Sequence, residues 1–227
     1  VKKAENAVKA SRPFTLELAK IFYWVNKEAN KNSTEKIQTK ESIDNYPVLL
    51  SKREIKKTGL VIISSNKGLA GAYCANIVRY SLNMIKELKK QGKEVKVYLV
   101  GQKAIPAIKN QKDNLGFEIK KTYSNILDGI NSSSSYVLAS NLADDYVKGE
   151  IDEIQLITTR YKNMMTYRVE NWQLLPALDD EANIKEFHNE ELTREVKADT
   201  ALHTIEPLSE YLPNVNSVLK NLVPMYI

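Results

Sequence analysis

The sequence predicts an α/β fold, a mixed and mainly parallel sheet flanked by helices, with an antiparallel pair of strands at one edge. Three observations carry that prediction. Residues 60–63 (LVII) are a short β-branched run bounded by Gly59 and by Ser64 and Ser65, the pattern of a strand buried on both faces. Gly68 and Gly71 then loosen the backbone before a helical pattern opens, and strand, glycine turn and helix make the first half of a βαβ unit. Residues 151–159 and 164–175 are two further strand-like runs separated only by residues 160–163, which suits an antiparallel pair.

Before the sheet, positions 1, 4, 8, 11, 15, 18, 22, 25 and 29 alternate steps of three and four and hold seven apolar residues in nine. Val8, Leu18, Phe22 and Val25 mark this coiled-coil-like seam, which needs a partner helix. Pro13 removes one N–H and crowds the carbonyl of Lys9, so a bend is expected there. Residues 31–57 form a polar connecting segment with one apolar patch at residues 47–50. Lys52, Arg53, Lys56 and Lys57 cluster at its end without interleaved aromatics, which favours a solvated basic edge over a nucleic-acid grip.

The α/β part is expected over residues 58–178. Residues 72–90 read as a helix with Ile77, Tyr80, Ser81, Met84, Ile85 and Leu88 on one face and lysines at its C-terminal end, where cations suit the macrodipole. A second strand fits 95–100, a short helix crossed by Pro106 fits 101–109, and a third strand fits 116–120. Ser124 is the expected N-cap of a helix to about 148, with Ile126, Leu127, Ile130, Val137, Leu138, Leu142 and Tyr146 on its face. In residues 164–175, Met165, Tyr167 and Val169 alternate with Thr166, Arg168 and Glu170, so one face of that strand is polar. Residues 179–205 are an acidic connection, and 206–227 open a final helical pattern.

Charge is divided along the chain. Residues 1–57 carry thirteen Lys/Arg against seven Asp/Glu, whereas residues 179–210 carry three against ten. Such asymmetry suits basic and acidic partners on different faces, and it equally suits ordinary solvated surface. The single cysteine, Cys74, excludes an internal disulfide and fits a reducing compartment. No apolar run reaches the length of a membrane span, and a start at Val1, already inside a helical pattern, suggests a piece of a longer polypeptide.

No constellation proposes a reaction. A Walker loop places its lysine after the second glycine and a Ser or Thr after that; here Lys67 precedes Gly68, and the dinucleotide pattern of three glycines is also missing. His188 and His203 have no metal-ligand neighbours at useful spacing. Cys74 lacks a histidine partner and reads as a core thiol. No cofactor and no metal are expected.

Several stretches together resemble the gamma subunit of F-type ATP synthase. Residues 60–73 (LVIISSNKGLAGAY) resemble the family's strand and Gly-Leu-Cys-Gly turn, and residues 92–103 (GKEVKVYLVGQK) resemble its next strand and Val-Gly-x-Lys ending. Glu206-Pro207 with residues 222–227 (LVPMYI) is similar to the opening of the family's long C-terminal helix, and residues 3–13 (KAENAVKASRP) to its N-terminal helix. Ala70 stands where many members have cysteine.

The resemblance implies a Rossmann-like foot bearing helical stubs, residues 1–30 and 206–227, of an antiparallel coiled coil whose remainder is missing. It implies a non-catalytic rotor that transmits torque between the proton-driven c-ring and the catalytic alpha/beta hexamer, peripheral to the cytoplasmic face of a bacterial plasma membrane, with an organelle as the second alternative, and without inserting into the membrane. Implied partners are the alpha, beta and epsilon subunits and the c-ring, with no nucleic acid. Lys67, Gly68, Leu69, Ala70 and Gly71 would face the acidic rim of the beta subunits. The alternatives are a nucleotide-binding α/β enzyme domain, which the missing loop chemistry opposes, and a basic nucleic-acid module, motivated only by a pI near 9.0.

Overall fold

Four parallel strands and one antiparallel strand form a single sheet, ordered β3-β2-β1-β4-β5. The computed structural model describes residues 48–49, 53–68, 72–124, 132–163 and 166–176. The strands are β1 (Lys57–Ile63), β2 (Glu94–Val100), β3 (Glu118–Tyr123), β4 (Glu153–Asn163) and β5 (Thr166–Leu175). Between them lie α1 (Tyr73–Lys90), α2 (Ile105–Lys109), α3 (Lys112–Leu115) and α4 (Ser132–Val147). The expected architecture, a mainly parallel sheet with an antiparallel edge pair and flanking helices, is therefore present.

The centre of the sheet is apolar because β1 and β2 are covered on both faces. Leu60, Ile62, Val97, Leu99 and Ile157 join Ile77, Ile85 and Leu88 of α1 in one core, with Ala104, Ile108 and Phe117 closing its side. Alternate residues of the same strands, Val61, Tyr98 and Val100, are also buried, as period-two alternation requires when both faces are covered. Gly59 belongs to this second set: a Cβ there would meet Ile151 Cδ1 at 3.2 Å and Tyr98 Cε2 at 3.4 Å. On α4, Ala139, Leu142 and Tyr146 are buried, and the Tyr98 hydroxyl donates to Asp145 at 2.7 Å.

The helix expected over 72–90 is present as α1, with Ile77, Ser81, Ile85 and Leu88 buried. Elsewhere boundaries move for physical reasons. The third strand runs over Glu118–Tyr123 rather than 116–120, because Gly116 takes a left-handed conformation (φ +64) that caps α3. The helix expected from Gly101 begins only at Ile105, with Pro106 in its first turn, where a missing N–H costs nothing. β4 continues through residues 160–163, which were expected to be a turn, and pairs antiparallel with β5 as far as Asn163↔Thr166. On α4, Val137 is 51% exposed rather than on the buried face. The proposed cap at Ser124 precedes residues 125–131, which lie outside the described residues, as do Ile126, Leu127 and Ile130.

Candidate functional site

The turn after β1 is built by one serine and one glycine. The Ser64 amide donates to the Val100 carbonyl at 2.8 Å, and its Oγ accepts the Ala104 amide at 3.3 Å. These bonds clamp the end of β1 to the loop after β2. Gly101 (φ +86) lets that loop pass so closely that a Cβ on it would overlap the Ser64 carbonyl. The Gln102 amide then reaches Asn66 Oδ1 at 3.2 Å, and the Lys103 amide the Ser65 carbonyl at 3.0 Å.

Two consequences follow for chemistry. The amides of Gly101, Gln102, Lys103 and Ala104 are all spent on protein acceptors, so this loop has no cradle of free N–H groups to offer a phosphate. At the start of α1, Tyr73 packs against the core, and burial pushes its phenol up. Cys74 is a half-buried free thiol whose Sγ lies 3.1 Å from Ser65 Oγ. Among the described residues, no group of three or more His, Cys, Asp or Glu stands ready for a metal ion.

The turn instead presents a small basic surface. Lys67 and Gly68 are both exposed, and among the described residues a Cβ on Gly68 would meet the end of Lys103, Cε at 3.8 Å and Nζ at 4.0 Å. Lys103, also exposed, therefore stands beside Gly68 although it lies 35 positions on in the sequence. Nothing in the local pattern marked Lys103 as part of this surface; the pairing of β1 with β2 brings it there. Leu69, Ala70 and Gly71 of the expected site lie outside the described residues, as do Val8, Leu18, Phe22 and Val25 of the expected seam.

The opposite end of the sheet carries both chain connections. Residues 53–57 lead into β1, and β5 ends beside the start of β4, with Ile154 paired to both Gly59 and Leu175. Arg53, expected on a solvated edge, is only 28% exposed at its side chain and pairs with Asp152 at 3.0 Å. Its guanidinium also donates to the carbonyls of Tyr146 and Ile151. Lys57 Nζ donates to the Gly149 carbonyl at 3.2 Å. Lys56 is exposed as expected, and its ammonium pairs with exposed Glu54 at 2.9 Å.

Comparison with known proteins follows the same lines. Residues 1–227 match a family model described as ATP synthase. An ATP synthase gamma chain of Synechococcus sp. (strain JA-3-3Ab) is 27% identical over 236 residues, covering 100% of this chain and 70% of the relative. The ATP synthase gamma chain of Nostoc punctiforme is 29% identical over 238 residues with the same coverage, and that of Leptospira biflexa is 27% identical over 226 residues, covering 100% of this chain and 67% of the relative. Among solved structures, the central stalk and c-ring of Tetrahymena thermophila mitochondrial ATP synthase matches with a TM-score of 0.52 at 18% identity, over 93% of this chain and 86% of that one; at that identity the likeness speaks for the fold. With a family model matched from end to end and gamma chains aligned along its whole length, the chain belongs to the ATP synthase family, among the gamma chains.

Proposed function

We propose that this chain is the central-stalk rotor that carries torque between the proton-driven c-ring and the alpha/beta hexamer, making and breaking no bonds itself. The observation that carries the reading is the whole-length match to gamma chains, and the geometry of the sheet is consistent with it. β1, where the chain comes in, and β5, where it leaves, are separated only by β4. In this reading Val8, Leu18, Phe22 and Val25 are the seam of one helix of an antiparallel pair, against residues 218–227. A close-packed α/β body supplies the stiffness a rotor needs.

The surface at Lys67, Gly68 and Lys103, continued by Leu69, Ala70 and Gly71, suits contact with the acidic rim of the beta subunits. Its described residues carry two ammonium groups, no carboxylate and one glycine, so approach there is close and free of like-charge repulsion. Other partners in this reading are the alpha and epsilon subunits and the c-ring. The protein would be held at the cytoplasmic face of a bacterial plasma membrane through the complex; no described helix is long and apolar enough to cross a membrane.

The test is assembly of the full-length chain with alpha, beta and epsilon subunits in membranes carrying the c-ring. ATP-driven proton pumping that disappears when this chain is omitted is the expected result. A stable enzyme that pumps without it rejects the rotor reading. In the same assembly, Ala70→Cys should form disulfides with cysteines placed along the beta rim. If controls elsewhere on the chain cross-link and Ala70→Cys does not, the turn is only a fold element.

A further inference from the structure

Residues 53–57 are held more firmly than a surface connection needs. Arg53 reaches three points at once: the Tyr146 carbonyl at 2.8 Å in the last turn of α4, the Ile151 carbonyl, and Asp152 Oδ1 at 3.0 Å just before β4. Its guanidinium also lies over the Tyr146 ring, 4.2 Å from the ring centre, a cation–π contact added to its hydrogen bonds. Asp152 answers with its other oxygen, which accepts the amides of Lys56 and Lys57 at 3.1 and 2.9 Å. The Asp152 amide in turn donates to the Lys57 carbonyl at 2.7 Å. One arginine and one aspartate thus tie the incoming segment to α4 and β4 before β1 is properly under way.

We infer that the Arg53–Asp152 pair is a mechanical joint, through which force arriving along the preceding segment is shared between β1, β4 and α4. This rests on the rotor reading. Without the joint, a sideways pull on residue 53 would open the ladder of β1 from its first pair, Lys57↔Glu94, one bond after another. With it, the Arg53 bonds, the Asp152 bonds and the ladder must yield together, and bonds loaded in parallel resist more than bonds loaded in series. The outgoing strand β5 is fastened at the same place, since Leu175 pairs with Ile154, two residues beyond Asp152. Both connections therefore act on one small patch of sheet, and Arg53 and Asp152 position the segment against it.

The experiment uses the assembled enzyme in membrane vesicles with the full-length chain carrying R53Q, D152N or, as a control, K56Q. The Lys56 amide bonds Asp152, whereas its exposed side chain pairs with Glu54 and bears on Asp152 only weakly through charge. ATP hydrolysis and proton pumping are measured together, and the reading is protons pumped per ATP hydrolysed. R53Q and D152N should lower that ratio clearly below the wild-type value, because the contacts that R53Q and D152N remove or weaken no longer share the load, while K56Q stays at the wild-type ratio. A role in folding alone would lower assembly, hydrolysis and pumping together and leave the ratio unchanged. Assembled R53Q and D152N enzymes with the wild-type ratio overturn the joint. Should R53Q not assemble, D152N decides, because asparagine still offers an acceptor to the Lys57 amide; failure of both to assemble also overturns it, in favour of a folding role. A wild-type chain that supports no pumping defeats the rotor reading itself, which is a distinct result.

Discussion

Gly101 and Ser64 touch backbone to backbone, so tightly that a side chain on Gly101 would overlap the Ser64 carbonyl and lie 2.9 Å from its Oγ. Gly101 also sits at φ +86, a conformation that costs other residues about 1–2 kcal/mol before any clash. Gly101→Ala should therefore destabilise the domain by about 3 kcal/mol or more. The midpoint of urea unfolding measures it, and a variant as stable as wild type would mean that the two loops do not meet as described.

Gly68 is the opposite case. It is exposed, its φ is not in the left-handed range, and among the described residues a Cβ would find only the flexible end of Lys103, at 3.8 Å. Gly68→Val should leave stability within about 0.5 kcal/mol and yet reduce proton pumping in the assembled enzyme more than Lys67→Ala does. An exposed ion pair made by Lys67 contributes only about 0–1 kcal/mol, whereas a β-branched side chain at a point of close approach is a steric obstacle. Equal or smaller losses from Gly68→Val would remove the turn from the contact surface.

What was legible in the sequence follows burial. β1, β2 and α1 were readable because their apolar runs are buried and their ends are marked by glycine, serine or lysine. β3 is legible as a strand at 116–120, and its bounds shift to Glu118–Tyr123 because it is an edge strand whose residues 118–122 are exposed or half-buried, so no apolar run marks its ends. The end of β4 reads as a turn in the sequence because residues 160–163 are mostly polar, and pairing with β5 makes them strand. Lys67 and Gly68 could be picked out from the glycine turn itself. Lys103 and Arg53 could not, since their roles come from partners 35 to 99 positions away in the chain, and no local pattern records such a distance.

Ser81 offers a stabilising substitution. It was assigned to the apolar face of α1 and is fully buried there, and its Oγ has no hydrogen-bond partner among the described residues. A buried hydroxyl without a partner costs about 1–3 kcal/mol, and alanine is the better helix former by a few tenths more. Ser81→Ala should therefore raise stability by roughly 1 kcal/mol once the small loss of packing is allowed for, seen as a higher urea midpoint with unchanged slope. A destabilised variant would show that the hydroxyl is satisfied in solution.

Nucleotide binding provides a further check. The turn after β1 has neither a lysine following its second glycine, Gly71, nor a serine or threonine after that, and the loop amides after β2 are bonded within the protein. Titration of the isolated full-length chain with Mg-ATP should release no heat beyond dilution. A stoichiometric site of micromolar affinity that is lost in Lys67→Ala would return the chain to the nucleotide-binding alternative.

The last prediction concerns acid. Glu150 accepts hydrogen bonds from Lys96 at 2.9 Å and Lys120 at 3.2 Å, and these bonds, with the attraction of both ammonium groups, hold its carboxyl at about 2 against an ordinary 4.5. Lys96 is itself nearly buried, its side chain 7% exposed, with Glu94 and Glu118 at 3.7 and 3.9 Å as further partners. Burial pulls its ammonium down, but the bond to Glu150 and the three surrounding carboxylates outweigh that and raise it. A carboxyl held below its unfolded value stabilises the fold only while ionised, so its contribution is complete above pH 4.5 and is lost as pH falls toward 2. Glu150→Gln lacks that contribution at every pH. The gap in urea midpoint between wild type and Glu150→Gln should thus be constant near neutrality and close between pH 4.5 and 2. Because Glu150 is 44% exposed, added salt should narrow the gap at neutral pH as well. A gap that persists unchanged below pH 2 would mean that the glutamine acts through packing and that the pairs with Lys96 and Lys120 are not the source of stability.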